Sequence, residues 1–154
     1  MNKLLCIVGP TATGKTARAI KEAGKTPSII ISADSRQVYR GMDIVTGKDH
    51  PKDVSIFGID IINPDESISV AVWYDSVMPH IHQAWNEGKQ VIVVGGTGLY
   101  VKALVEGIET MCVPIDQALR DELSSLSIPE LQYELKELDE PKFASMNHSD
   151  QNNP

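Results

Sequence analysis

The chain is poor in cysteine, in arginine and in long apolar stretches. Two cysteines, Cys6 and Cys112, are too few for a disulfide framework, and Cys6 sits in an apolar run that predicts a core position. A reducing compartment, the cytoplasm, is therefore expected. No apolar run approaches the roughly 20 residues needed to cross a bilayer, so no membrane association is expected. The opening Met1-Asn2-Lys3-Leu4 carries no secretory cleavage pattern. There is no internal repeat and no low-complexity tract. A basic excess is missing too: 14 Lys/Arg face 21 Asp/Glu, a net charge of −7, which excludes a chain that is basic throughout.

The charge is unevenly spread. Residues 1–50 carry eight Lys/Arg and four Asp/Glu, whereas residues 51–154 carry six and 17. A polyanion would be drawn to the first third, and the acidic remainder serves solubility. The 154 residues amount to one domain's worth, with 42% hydrophobic content, ordinary for a globular protein.

Short apolar runs supply the strand candidates. Leu4–Val8 reads as a strand buried on both faces of a parallel sheet. Ser28–Ser32, Ile56–Ile62 and Val91–Val94 read as three more. A helix is predicted from Lys15 to Ala23, stopped by Gly24. A longer one runs from about Ser69 to Glu87, with Trp73, Val77, Ile81 and Ala84 on an apolar face and Ser69 as its cap. Pro79 inside it predicts a kink or a break. The alternation predicts an α/β fold, a P-loop NTPase-like parallel sheet flanked by helices. After Gly107 the character changes to a helical tail: Asp116 to about Leu126, Pro129 to about Leu138, and a short helix after Pro141. The expected division is a P-loop α/β core over residues 1–112 and a partial helical insertion over residues 113–154. The polar end, Asn147 to Pro154, reads as cut rather than concluded.

One segment carries explicit chemistry. Gly9-Pro10-Thr11-Ala12-Thr13-Gly14-Lys15-Thr16 is a complete G-x-x-x-x-G-K-[ST] match between a strand and a helix, the context that makes it a phosphate cradle. Inward-facing amides and the helix dipole meet the phosphate oxygens. Lys15 adds a point charge, and the Thr16 hydroxyl is placed to hold Mg²⁺. A P-loop ATPase adds a metal-binding aspartate at the end of a hydrophobic strand. Here the strand Val91–Val94 ends instead in Gly95-Gly96-Thr97-Gly98. The acid at a strand end is Asp34, which opens Asp34-Ser35-Arg36-Gln37-Val38-Tyr39-Arg40. Ligands of open α/β sheets sit beyond the carboxyl ends of the strands, so Asp34, Thr97 and the P-loop should share one crevice. Asp34 could simply turn the chain; its sharper role is proton acceptor. Gln37 could read a base edge and the arginines could meet phosphates. His80 and His82 are two apart on a helix, a poor metal pair, and His50 and His148 lie in polar stretches; none is assigned.

These segments resemble the tRNA dimethylallyltransferase (isopentenyltransferase) family. The matching stretches are GPTATGKT at 9–16, ISADSRQVYR at 31–40, GMDI at 41–44, Thr46 with Lys48, and GGTGLYVKALVEG at 95–107, with Asp60 and Pro64-Asp65-Glu66 fitting between. The resemblance runs over essentially all of the chain. It implies transfer of a dimethylallyl group from dimethylallyl diphosphate to N6 of adenosine 37, beside the anticodon, with diphosphate leaving. It implies a P-loop that holds the donor's diphosphate with Mg²⁺, Asp34 as general base and Thr97 as hydrogen-bond partner of the amine. It also implies that Asp34, Ser35, Arg36, Gln37, Thr97 and Arg120 contact the anticodon stem-loop of tRNA, and that the working form is a monomer. Departures are Val45-Thr46-Gly47-Lys48 where Gly-Thr-Ala-Lys is usual, Ile56 where histidine is common, and a family length extending well past Pro154. Other readings stay open. An isopentenyltransferase acting on AMP or ATP would share the donor site. A small-molecule P-loop kinase would need an arginine-rich lid, and the chain has four arginines, Arg18, Arg36, Arg40 and Arg120. An inactive nucleotide-binding fragment is the non-enzyme reading.

Overall fold

β-Branched runs bounded by glycine or proline form the strands, and the apolar-faced segments between them form the helices. The structure, a computed structural model, describes residues 3–48, 51, 54–108, 111, 113–114 and 116–152. The elements in order are β1 (Leu4–Val8), α1 (Lys15–Ala23), β2 (Ser28–Ala33), α2 (Asp43–Thr46), β3 (Ile56–Phe57), α3 (Val70–Asn86), β4 (Gln90–Gly95), α4 (Gly98–Val105), α5 (Gln117–Ser124), α6 (Ile128–Ser145) and α7 (His148–Gln151). The sheet has the order β1-β4-β2-β3, and every pairing is parallel. Backbone contacts divide the chain into two compact units, Met1–Cys112 and Val113–Pro154.

The two central strands explain the core. Alternate residues of β2 and β4 point to opposite faces. Ile29, Ile31, Val91 and Val93 meet α3 and α4 through Trp73, Val77, Ile81 and Tyr100, all buried. Ile30, Ile92 and Val94 meet Ala19 and Ala23 of α1. Burying side chains of this size contributes about 1.5–3 kcal/mol each, so this double-sided ladder dominates the first unit. Trp73 anchors it further: its indole N–H donates to Ser32 O at 3.2 Å, and its ring stacks on Tyr100 with centroids 4.2 Å apart. His80 stacks on Phe57 at 3.9 Å, a packing role.

Four local expectations need correction. β1 is an edge strand rather than one buried on both faces; Leu5 is 36% and Val8 58% exposed, and Cys6 is only partly buried. Pro79 does not end α3, which runs through it from the Ser69 cap, whose side chain accepts from Val72 N at 3.2 Å. Two short helices, α2 and α4, stand where no element was expected. The strand expected over Ile56–Ile62 stops at Phe57, because Gly58 (φ 83°) and Asp60 (φ 54°) turn left-handed; pairing resumes only as a single bridge between Tyr39 and Ile62.

The second unit is held by capping rather than by burial. Asp116 caps α5 by accepting from Leu119 N at 3.0 Å, and Ser127 and Glu130 form a capping box on α6. α6 is broken at Asp139 (φ −155°, ψ 78°), whose carboxylate accepts from Lys142 N at 2.9 Å and restarts the helix just before Pro141. No residue of α5, α6 or α7 is buried. Cys112 and His50 lie outside the described residues.

Gly58 makes a test of this packing. A Cβ there would come within 2.6 Å of Ser32 O and 3.1 Å of the Trp73 indole nitrogen, in a backbone conformation that side chains rarely adopt. Gly58→Ala is expected to destabilise the chain by about 3 kcal/mol, read as a lowered denaturation midpoint in urea. An unchanged midpoint would contradict the tight Gly58–Ser32–Trp73 approach.

Candidate functional site

The phosphate cradle grows directly out of β1. After Val8 the chain curls through Ala12 (φ 63°) and Gly14 (φ 77°), both left-handed, and then enters α1. Successive residues of this kind turn their amides toward one concavity. Gly14 occupies the N-cap of α1 and has no side chain to engage the first amides, so they remain available to an anion along with the helix dipole. Thr13 Oγ1 donates to Pro10 O at 2.8 Å, and the Lys15 ammonium donates to the same carbonyl, so two side chains brace the loop from within.

Thr11 to Thr16 line a cavity of about 440 Å³ together with Asp34 and Gln37. Gly9 and Pro10 instead line a neighbouring cavity of about 590 Å³ with Lys102 of α4 and Glu106 at its C-cap. The β2–β4 register brings Ala33 opposite Gly95, so the two strands end level and Thr97 meets Ser35 just beyond them. Thr97 N donates to Ala33 O at 3.1 Å. Its hydroxyl accepts from Ser35 N at 2.9 Å and donates to Ser35 Oγ at 3.2 Å. Thr97 therefore touches the Asp34 segment but does not line the P-loop cavity.

Asp34 both closes a turn and borders the cavity. Oδ1 accepts from Arg36 N at 2.9 Å, closing the turn, while the residue also lines the cavity. Arg36 is exposed beside it, and Ser35 is tied to Thr97. Gln37 is engaged inward: its carbonyl accepts from Ser32 Oγ at 2.7 Å, and its amide donates to Thr46 O at 3.2 Å and Gly47 O at 3.3 Å. Arg40 donates to Asp60 O at 3.0 Å. Arg120 belongs to the second unit, exposed on α5.

Sequence reasoning gave no role to the opposite wall. Ile44, Val45, Thr46 and Gly47 face the P-loop across the same cavity, with Ile59 behind. Behind this wall Lys48 bonds Tyr39 O at 2.6 Å, Asp43 Oδ1 at 3.0 Å and Asp60 Oδ1 at 2.5 Å. Its side chain is fully covered. Burial opposes the ammonium charge, but the Asp60 and Asp43 carboxylates outweigh it and hold the Lys48 pKa above the ordinary lysine value. That pairing stabilises the folded chain below the ordinary lysine pKa and is lost as pH rises through the raised one. Because Asp43 is about half and Asp60 about a third exposed, its contribution falls short of that of a fully buried pair. The signal was present in Asp43, Lys48 and Asp60, yet nothing in their spacing reveals that Gly58 and Asp60 fold the chain back to join them.

A magnesium ion suits this chemistry only in company. Among the described residues no cluster of three or more His, Cys, Asp or Glu could hold a metal. Thr16 and Asp34 line the cavity, and Mg²⁺ characteristically binds one or two protein oxygens, substrate phosphates and water. The residues fit a phosphate-borne ion.

The family model described as IPP transferase matches residues 37–153. A tRNA dimethylallyltransferase from Acaryochloris marina is 41% identical over 96% of this chain and 50% of its own length. The crystal structure of the tRNA isopentenylpyrophosphate transferase from Bacillus halodurans superposes with a TM-score of 0.68 at 37% identity, covering 98% of this chain and 52% of that one. A eukaryotic dimethylallyltransferase acting on tRNA shares the fold, with a TM-score of 0.80 at 24% identity over 98% of this chain and 39% of that one. The chain thus spans about half the length of the curated relatives it matches.

The cradle can be tested without any assumption about the reaction. Lys15→Ala removes a charge and an internal brace, and is expected to weaken inorganic diphosphate binding at least about tenfold by calorimetry. Wild-type affinity in that variant would remove Lys15 from the phosphate site.

Proposed function

We infer the function from the premise that fold, site and matches establish together: this chain belongs to the IPP transferase family. On that premise we propose that it carries the donor half of a transfer of the dimethylallyl group from dimethylallyl diphosphate to N6 of adenosine 37 in tRNA. The N6–C1 bond forms, the C1–oxygen bond breaks, diphosphate leaves, and the amine proton passes to the Asp34 carboxylate. The observation that carries this reading is that Asp34 and Thr11–Thr16 line one cavity. A base and a leaving-group cradle on the same space suit displacement at carbon.

The division of labour follows. The loop amides, the α1 dipole and Lys15 neutralise the leaving diphosphate, so catalysis is chiefly electrostatic clamping and positioning. Mg²⁺, held by Thr16 and the donor's phosphates, supplies further neutralisation when bound. Thr97 fixes Ser35 by two hydrogen bonds, and its proposed role as partner of the amine is reached through that segment beside the cavity. Ser35, Arg36 and, from the second unit, Arg120 are the proposed contacts to the anticodon stem-loop. Gln37 contributes by holding the cavity wall. The target base must leave its stack to reach a recessed carboxylate. The proposed working form is a cytoplasmic monomer. The relatives' names speak of tRNA rather than free nucleotide, which favours the polynucleotide acceptor over AMP.

The test pairs acceptors and a variant. The full chain is incubated with labelled dimethylallyl diphosphate and either an anticodon stem-loop or AMP; label is expected in the stem-loop. Label only in AMP would redirect the acceptor assignment, and label in neither would overturn the activity. Asp34→Asn retains an oxygen for Arg36 N, so it isolates the base role; transfer is expected to slow roughly 10²–10⁴-fold with donor affinity unchanged. Transfer at the wild-type rate would exclude Asp34 as the base.

A further inference from the structure

We propose that Lys48 is a positioning residue that fixes the segment 43–47 as the wall of the P-loop cavity, and thereby sets how well the cavity accepts the hydrocarbon part of the donor. The second half of this statement rests on the donor proposed above; the first does not.

Burial does not hold that segment in place. α2 contains no buried residue, and Ile44 is 98% and Val45 82% exposed. A helix of four residues, three of them exposed and none buried, has little intrinsic stability. Yet residues 44–47 line the P-loop cavity, and Val45 and Thr46 also line a second cavity of about 280 Å³ shared with Arg36 and Tyr39. The segment is a thin partition between the two spaces. Polar ties must therefore decide where it stands.

Those ties converge on Lys48. Its ammonium has three protons, and three acceptors meet them from three separate stretches of chain: Tyr39 O, Asp43 Oδ1 and Asp60 Oδ1. With its donors used and its side chain fully covered, Lys48 is not a phosphate ligand. Lys48 N also donates to Asp43 O at 3.0 Å, so the segment is closed onto itself at both of its ends. Asp60 is in turn held by Arg40 Nε on its carbonyl and by its own N–H on Gln37 O at 3.1 Å. Gln37 reaches back to Thr46 and Gly47. The loop of bonds is complete: β2 through Gln37 to the partition, the partition through Lys48 to Asp60, and Asp60 back to Gln37. Ile44, Val45 and Ile59 line the same cavity as a cradle built for phosphate. A donor with a charged head and a short branched hydrocarbon tail matches that pairing.

The experiment uses the full chain with Lys48→Met, which keeps length and removes charge, and Asp60→Asn, which keeps an acceptor and tolerates the left-handed backbone. Hydrogen exchange is followed at the amides of Thr46, Gly47 and Lys48, which are bonded within the segment, and at those of β2 and β4. In Lys48→Met the segment amides are expected to exchange on the order of tenfold faster with β2 and β4 unchanged; Asp60→Asn should fall between this variant and wild type. Titrations with inorganic diphosphate and with dimethylallyl diphosphate should show about a tenfold loss for the prenyl compound and little change for diphosphate. Unchanged segment exchange, or equal acceleration in β2 and β4, would overturn the positioning role. Equal loss for both probes would place Lys48 at the phosphate instead. If wild type binds diphosphate no more weakly than dimethylallyl diphosphate, the donor assignment fails, while the exchange result still decides the clamp. Should Lys48→Met not fold, Asp60→Asn carries the same two readouts.

Discussion

Everything at the site depends on the level ending of two neighbouring strands. Ala33 and Gly95 close the β2–β4 ladder together, so the residues that follow leave the sheet at the same height. That coincidence lets Thr97 hold Ser35, the residue after Asp34, by two hydrogen bonds. A one-residue slip would exchange the side chains of β2 between two buried faces packed against different helices, so the fit of each face also enforces the register of the chemistry. The placement of Asp34 is therefore a by-product of packing Ile29, Ile30 and Ile31.

Much of this was legible in the chain because it is local. The P-loop is a continuous run, and its flanking strand and helix announce themselves by composition. The α1 boundaries follow from Gly14 and Gly24, and the α3 cap from Ser69. Strand type followed from apolar runs too short for helices. The Gly95-Gly96-Thr97-Gly98 turn after Val94, in place of an aspartate, was equally plain. Asp34 could be placed in a crevice, but its double duty could not be read, since a turn-closing acid and a cavity-facing acid look alike in one dimension.

What the sequence concealed is non-local. β1 reads like an interior strand because its residues are apolar; only the strand order makes it an edge. Ile56–Ile62 reads as one strand because Gly58 and Asp60 are outnumbered by isoleucines, yet two left-handed residues outweigh them. Gln37 reads as a ligand-facing amide; it does line the cavity, and its bonds to Ser32, Thr46 and Gly47, invisible in one dimension, also make it an internal strut. Lys48, Asp43 and Asp60 look like scattered surface charges until the backbone reversal brings them together. In each case the deciding partner lies outside the window in which composition and periodicity operate.

The edge position of β1 has a mechanical meaning. A strand flanked on one side only is the least restrained in a sheet, and here it is the strand from which the phosphate loop hangs. Its outer row of amides and carbonyls offers a ready seam for another strand to zip onto. Whatever occupies that seam would stiffen the stalk beneath the loop, so the grip on a phosphate and the cover on the far border of the sheet are two ends of one lever.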